Sequence, residues 1–130
     1  MSSSPYWYLW LIAFGTTLLL EAPVVLWLLR RSEASLWRRV VLLLVANLVT
    51  HPLVWFFFPE LPLRRLTSLL LSEGWAFVAE TLIYATLVSA REQRFGTLLA
   101  RASLASALAN AVSWGVGSVC FRALAAALRG

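Results

Sequence analysis

The sequence predicts an all-α integral membrane protein, with four transmembrane helices in an antiparallel bundle of two hairpins and both termini on the same side. Three observations lead there. Of 130 residues, 61% are hydrophobic and 13% are charged, against about 45–50% and about 25% in soluble domains. The mean hydropathy is +0.79, and a fold of this size buries too little of its surface to hide so much apolar area. The apolar residues also fall in long runs, separated by short connections that hold most of the arginines. These features exclude an ordinary soluble enzyme, a disordered chain and a disulfide scaffold.

A helix needs about 20 apolar residues to cross the hydrocarbon core. The first run, residues 7–29, is long enough. It lacks a positive n-region and carries Glu21 and Pro23 inside it, so it reads as a span rather than a signal peptide. The second covers residues 40–58, and Pro59 and Pro62 end it. The third covers residues 69–90 and the fourth 97–121. Backbone polar groups in lipid must be satisfied within the segment, which makes these runs helices rather than strands. Residues 1–130 form a single domain, with no internal repeat.

All eleven basic residues are arginine and all six acidic ones are glutamate, giving a net charge of +5. The arginines sit in pairs between apolar runs (Arg30/Arg31, Arg38/Arg39, Arg64/Arg65, Arg91/Arg94), which marks loops rather than a basic face for nucleic acid. The arginine-for-lysine and Ala/Leu-rich bias suits a GC-rich bacterial gene and an inner (cytoplasmic) membrane location. Seven arginines fall at the ends joined by the first and third loops. The positive-inside rule then puts loops 30–39 and 91–96 in the cytoplasm and both termini on the outer side. Tyr6, Trp7, Tyr8, Trp10, Trp55, Phe56–Phe58 and Trp75 mark the outer interface, and Trp27 and Trp37 the inner one. Cys120 has no second cysteine to pair with and reads as a small apolar helix residue.

The polar residues inside the spans are the informative ones. Thr17 and Glu21 share a face of the first helix, as do Asn47, Thr50, His51 and Val54 on the second. Glu73, Glu80 and Tyr84 share a face of the third. Ser103, Ser106, Asn110, Ser113, Trp114 and Gly117 form a stripe on the fourth, which with Ala102, Ala105 and Ala109 reads as close helix packing. Counting from the cytoplasmic arginines at the helical rise places Glu21 ~14 Å deep, Asn47 ~12 Å, His51 ~18 Å, Glu80 ~16 Å and Asn110 ~14 Å. Five polar side chains from four helices thus fall in one layer near the midplane, while Glu73 lies about 27 Å up, near the outer surface. Pro23 and Pro52 flank the layer, and each frees the carbonyl four residues earlier, those of Leu19 and Leu48. Helices broken at the midplane are one way to build a cation site.

A carboxylate at the bilayer centre costs about 3 kcal/mol on insertion scales, while an interhelical polar contact returns about 0.6–2 kcal/mol. Structural glue alone is thus a poor reason for Glu21 and Glu80. Carboxylates with an imidazole can relay protons, bind a cation, or act as an acid/base pair on a lipid-like substrate. No hydrolase elbow, HExxH or phosphate loop is present, so an enzyme is the less favoured class. The expected ion- or proton-binding set is Glu21, Asn47, His51, Glu80 and Asn110, supported by Thr17, Pro23, Thr50, Pro52, Tyr84 and Glu73. A single bound cation, on Glu21, His51 and Glu80, is the only cofactor the residues suggest.

Four short helices leave little room for a pore, so a transport role implies a homo-oligomer or a larger membrane complex in the lipid bilayer. In size, and in a first-helix glutamate (Glu21, after Gly15-Thr16-Thr17), the chain resembles the small multidrug resistance transporters. That resemblance covers one helix and one residue type. Glu80, His51 and the arginine-rich first loop depart from the pattern. The expected function is the binding or translocation of protons or cations, with or without a coupled solute. The alternatives are an accessory or assembly subunit of a larger complex, or an intramembrane enzyme acting on a lipid-like substrate.

Overall fold

A computed structural model describes residues 4–32, 34–87 and 95–127. Among them the chain is all helix and connection, with no strand. Helix α1 spans Ser4–Leu28 and ends in a 3-10 turn at Leu29–Arg31. Helix α2 spans Leu36–Pro52, α3 spans Arg65–Leu87 and α4 spans Phe95–Ala127. These match the four expected runs to within a few residues at most ends. Arg91 and Arg94 of the third loop lie outside the described residues, as do Glu33 and Glu92.

Local chemistry sets the ends. The Ser35 hydroxyl caps α2 by accepting from the Arg38 amide at 3.2 Å. The Ser32 hydroxyl donates to the Leu29 carbonyl at 2.6 Å and closes the turn after α1. After Pro52, which has no N–H to donate, α2 widens into a π-helical turn over Leu53–Phe57 and then tightens into a 3-10 turn over Phe58–Glu60. The Ser68 hydroxyl donates to the Phe58 carbonyl at 2.7 Å, tying that turn to the start of α3.

Pro23 behaves differently, because α1 runs through it unbroken. It is exposed, two residues and hence about 200° around the helix from Glu21. The flanking break expected beside Glu21 is absent, and the proline lies on the opposite face from the carboxylate.

Each helix packs on two others, in the closed ring α1–α2–α3–α4. The polarity is inside-out. Glu21 and Glu80 are each 1% exposed and Asn47, Thr50 and Ser106 are buried, while Leu19 is 78% exposed and Leu70, Leu82 and Val119 also point outward. Water would penalise the exposed apolar half of that arrangement, and hydrocarbon would not. Among the described residues three helical segments, Trp7–Arg31, Leu36–Glu60 and Arg65–Thr86, are long and apolar enough to cross a membrane. α4 is the longest helix but is not among them. Its Ser106, Asn110 and Ser113 face its neighbours and donate to Glu80 and Glu21.

The two ends of the ring differ. At the end carrying the 29–35 connection, Val25, Leu29, Leu43, Ala46, Tyr84, Leu98, Ala102 and Ala105 form a packed core. At the end carrying the 58–64 connection the helices enclose open space.

Candidate functional site

The site is built on two carboxylates from different helices, each held by donors from two others. Glu21, on α1, accepts from Asn47 Nδ2 of α2 through Oε2 at 2.8 Å. Its Oε1 accepts from Ser113 Oγ of α4 at 2.9 Å. Glu80, on α3, accepts from Thr50 Oγ1 of α2 through Oε1 at 3.3 Å. Its Oε2 accepts from Ser106 Oγ and Asn110 Nδ2 of α4, at 3.0 and 2.6 Å. All four carboxylate oxygens are therefore oriented by a neutral donor.

Helical periodicity supplies the donors. Asn47 and Thr50 sit three apart on α2, and Ser106, Asn110 and Ser113 follow the i, i+4, i+7 spacing on α4. Several donors are also anchored to their own helix. Asn47 Nδ2 donates to the Leu43 carbonyl at 3.2 Å, Thr50 Oγ1 to the Ala46 carbonyl at 3.0 Å and Asn110 Nδ2 to the Ser106 carbonyl at 3.0 Å.

Both carboxylates border an inner chamber of about 150 Å³, walled by Thr17, Asn47, Thr50, His51, Val54, Trp55, Glu73, Ala76, Asn110, Ser113 and Trp114. It has room for several waters, each of which needs about 10–15 Å³ of such space. Among the described residues no arginine lines it. A carboxylate has about four lone-pair positions, and the donors above use two on Glu21 and three on Glu80. Acceptor capacity remains on both, beside the chamber.

The chamber adjoins a wider vestibule of about 980 Å³ that reaches the 58–64 end of the ring. Thr17, His51, Val54, Trp55, Ser113 and Trp114 border both spaces and form the neck between them. Apolar residues such as Ile12, Ala13, Phe58, Leu63 and Leu69 line much of the vestibule, and Arg65 and Arg122 also border it.

His51 stands at the neck, 8% exposed. Its Nε2 lies 3.5 Å from Thr17 Oγ1, a long contact, and its buried Nδ1 has no hydrogen-bond partner among the described residues. Aromatic rings surround it. Trp55 stacks on the imidazole at 5.9 Å, Phe14 meets it edge-on at 5.4 Å and Trp10 lies at 6.1 Å.

The five residues expected in one layer thus divide. Glu21 meets Asn47 and Glu80 meets Asn110, while His51 bonds to neither carboxylate. Thr17 and Thr50 join the chamber wall. So does Glu73, which depth counting had placed near the outer surface and which is half-buried. Tyr84 is fully buried in the packed core, away from the chamber wall, and its hydroxyl lacks a hydrogen-bond partner among the described residues. The expected role of the α4 serines as packing alone is corrected for two of them, since Ser106 and Ser113 donate directly to the carboxylates. Their register with Asn110 is the signal that identifies them. Glu21, His51 and Glu80 do not form a cluster able to hold a metal ion, and no such cluster occurs among the described residues.

No protein-family model, curated protein or solved structure matches the chain. The functional reading therefore rests on the geometry of the site.

Proposed function

We propose that the chain is a four-span antiparallel membrane bundle that binds protons or cations at the Glu21/Glu80 chamber and moves them across the bilayer. The observation that carries this reading is the chamber. Two buried carboxylates from separate helices border one space of about 150 Å³ in which the described wall residues include no arginine. Negative charge gathered in a low-dielectric interior without a fixed counter-charge favours a positive occupant. Purely structural hydrogen bonding would be served by a closed, packed interior, and no chamber would be needed.

The vestibule provides the approach. A proton or cation entering from the 58–64 end passes His51 and Thr17 at the neck and reaches Glu21 and Glu80. The orphaned His51 Nδ1 offers a transfer point on that route. The neutral donors hold the carboxylates in place without cancelling their charge. The arginine bias supports an orientation with the 58–64 end and both termini outside and the packed end toward the cytoplasm, the inner membrane of a bacterium being the proposed location. A second copy or a partner subunit would complete a path that four helices alone leave closed.

The test is flux in proteoliposomes. Glu21→Gln and Glu80→Gln are expected to fold and to abolish proton- or cation-dependent flux. The glutamine amide in the Glu80 Oε1 place can donate to Thr50 Oγ1, whose hydrogen then turns wholly to the Ala46 carbonyl. Wild-type flux in both variants, or none in the parent, overturns the proposal.

A further inference from the structure

The vestibule carries opposite charge at its two ends. Arg65, near the start of α3, and Arg122, toward the end of α4, border its outer part, and both are exposed. Glu60, in the connection that leads into α3, does not line it. The inner end gives onto Glu21, Glu73 and Glu80 through the neck. From Ser113, which holds the Glu21 carboxyl, to Arg122 is nine residues of α4, roughly 13 Å along the axis. From Glu73 to Arg65 is eight residues of α3, roughly 12 Å. Two helices therefore give the same spacing between an acidic floor and a basic rim.

The wall between them is mostly apolar, with Ile12, Ala13, Val54 and Leu69 facing the space and indoles at the neck. A free cation gains from the floor and is opposed at the rim, and a free anion the reverse. A molecule with a charge of each sign at its two ends gains at both. Arginine suits the rim, because its planar guanidinium pairs a carboxylate or phosphate through two parallel bonds. The Arg122 Nε–H is spent on the Ser118 carbonyl at 3.1 Å, which lays the stem along α4.

We infer that the vestibule binds a linear zwitterionic solute, with a primary ammonium seated against Glu21 and Glu73 on the outer side of the chamber, an apolar body against the vestibule wall, and a terminal carboxylate or phosphate on Arg65 and Arg122. This rests on the reading of the chamber as a cation site and names the solute that fills it. Short peptides and ω-amino acids share this chemistry. At about 3.3–3.6 Å per extended residue, a chain of about four residues spans the distance.

The test is equilibrium dialysis of the full chain in nanodiscs, against empty nanodiscs, with a ladder of ω-aminoalkanoic acids from aminohexanoic to aminododecanoic acid. An oligoalanine ladder run in parallel separates peptide from aminoalkyl solutes. In at least one ladder, affinity is expected to peak at one length and to fall about tenfold when the amine is acetylated or the carboxylate esterified. Arg65→Gln/Arg122→Gln should remove the advantage of the acid over its ester and leave binding of the ester unchanged. An ester that binds as tightly as the parent acid overturns the inference while leaving the cation site intact. So does Glu21-dependent proton flux with no binding in either ladder. Failure of flux and binding together removes both proposals.

Discussion

Replacing Glu80 with leucine separates a functional carboxylate from a structural one. Leucine is close to glutamate in size, so the variant empties little space. It removes three interhelical hydrogen bonds, from Thr50, Ser106 and Asn110. At about 0.6–1.7 kcal/mol each in a membrane, their gross loss is about 2–5 kcal/mol. Two effects oppose it. Every donor keeps a second acceptor: Ala46 O for Thr50 at 3.0 Å, Phe77 O for Ser106 at 3.3 Å and Ser106 O for Asn110 at 3.0 Å. With Glu80 at the proposed midplane, the variant also avoids the roughly 2.5–3.5 kcal/mol of placing a carboxylate at the bilayer centre. The two sides cancel to within about 2 kcal/mol, consistent with the frequent neutrality of replacing buried polar groups by apolar ones of similar volume. Reversible unfolding in bicelles measures the stability, and flux in proteoliposomes measures the function on the same preparation. The expected result is a bundle about as stable as the parent with no flux. A destabilisation above about 4 kcal/mol, a thousandfold in the unfolding equilibrium, would make Glu80 the tie of the bundle and refute the reasoning.

Asn47→Ala is expected to cost about 1–2 kcal/mol, since it removes the charge-assisted donor to Glu21 Oε2 at 2.8 Å and leaves that oxygen without a donor. Combined with Glu21→Gln in a double-mutant cycle, the pair should show a coupling of about 1 kcal/mol or more, and additivity would mean that the contact contributes nothing. Ala76→Leu projects into the inner chamber from a buried position on its wall. It should lower flux at least tenfold and cost about 1–3 kcal/mol by overpacking, so full flux in a folded variant would show that the chamber is not on the route.

Much of the fold was legible because long apolar runs simplify the code. Any polar side chain on an apolar helix has a single favourable direction, inward, so the seams of α1 to α4 could be read from their i, i+3, i+4 and i+7 spacing. Depth counting put Glu21, Asn47, His51, Glu80 and Asn110 in one layer, and the structure pairs Glu21 with Asn47 and Glu80 with Asn110. Depth alone could not find partners, because helix rotation and stagger decide which donor meets which oxygen. Ser106 and Ser113 were passed over for that reason: among alanines they look like spacers. His51 was expected beside the carboxylates and sits instead among Trp10, Phe14 and Trp55. The spacing of Trp10, Phe14 and Thr17, on the Glu21 face of α1, was the available clue. The chamber and vestibule have no local signature at all, since they arise from how the four helices diverge, and Glu73 joins the chamber wall only through that divergence.

The asymmetry of the bundle bears on what translocation would require. A site open at one end and packed at the other binds; passage needs the packed end to part. Ala46, Ala102, Ala105 and Ala109 are fully buried, and they let the backbones close with little side-chain interlock. Parting such surfaces exposes less apolar area than parting leucines, and hence costs less where the seal meets water. Tyr84 is the large polar residue in this core, fully buried with a hydroxyl that finds no hydrogen-bond partner among the described residues. An unpaired buried hydroxyl costs about 1–3 kcal/mol, and water admitted by opening would repay it. If the chain translocates as proposed, the packed end would carry a group whose own solvation favours opening. Four residues beyond Glu80, and so on the same face of α3, that group lies where cargo leaving the carboxylate pair toward the packed end would pass next.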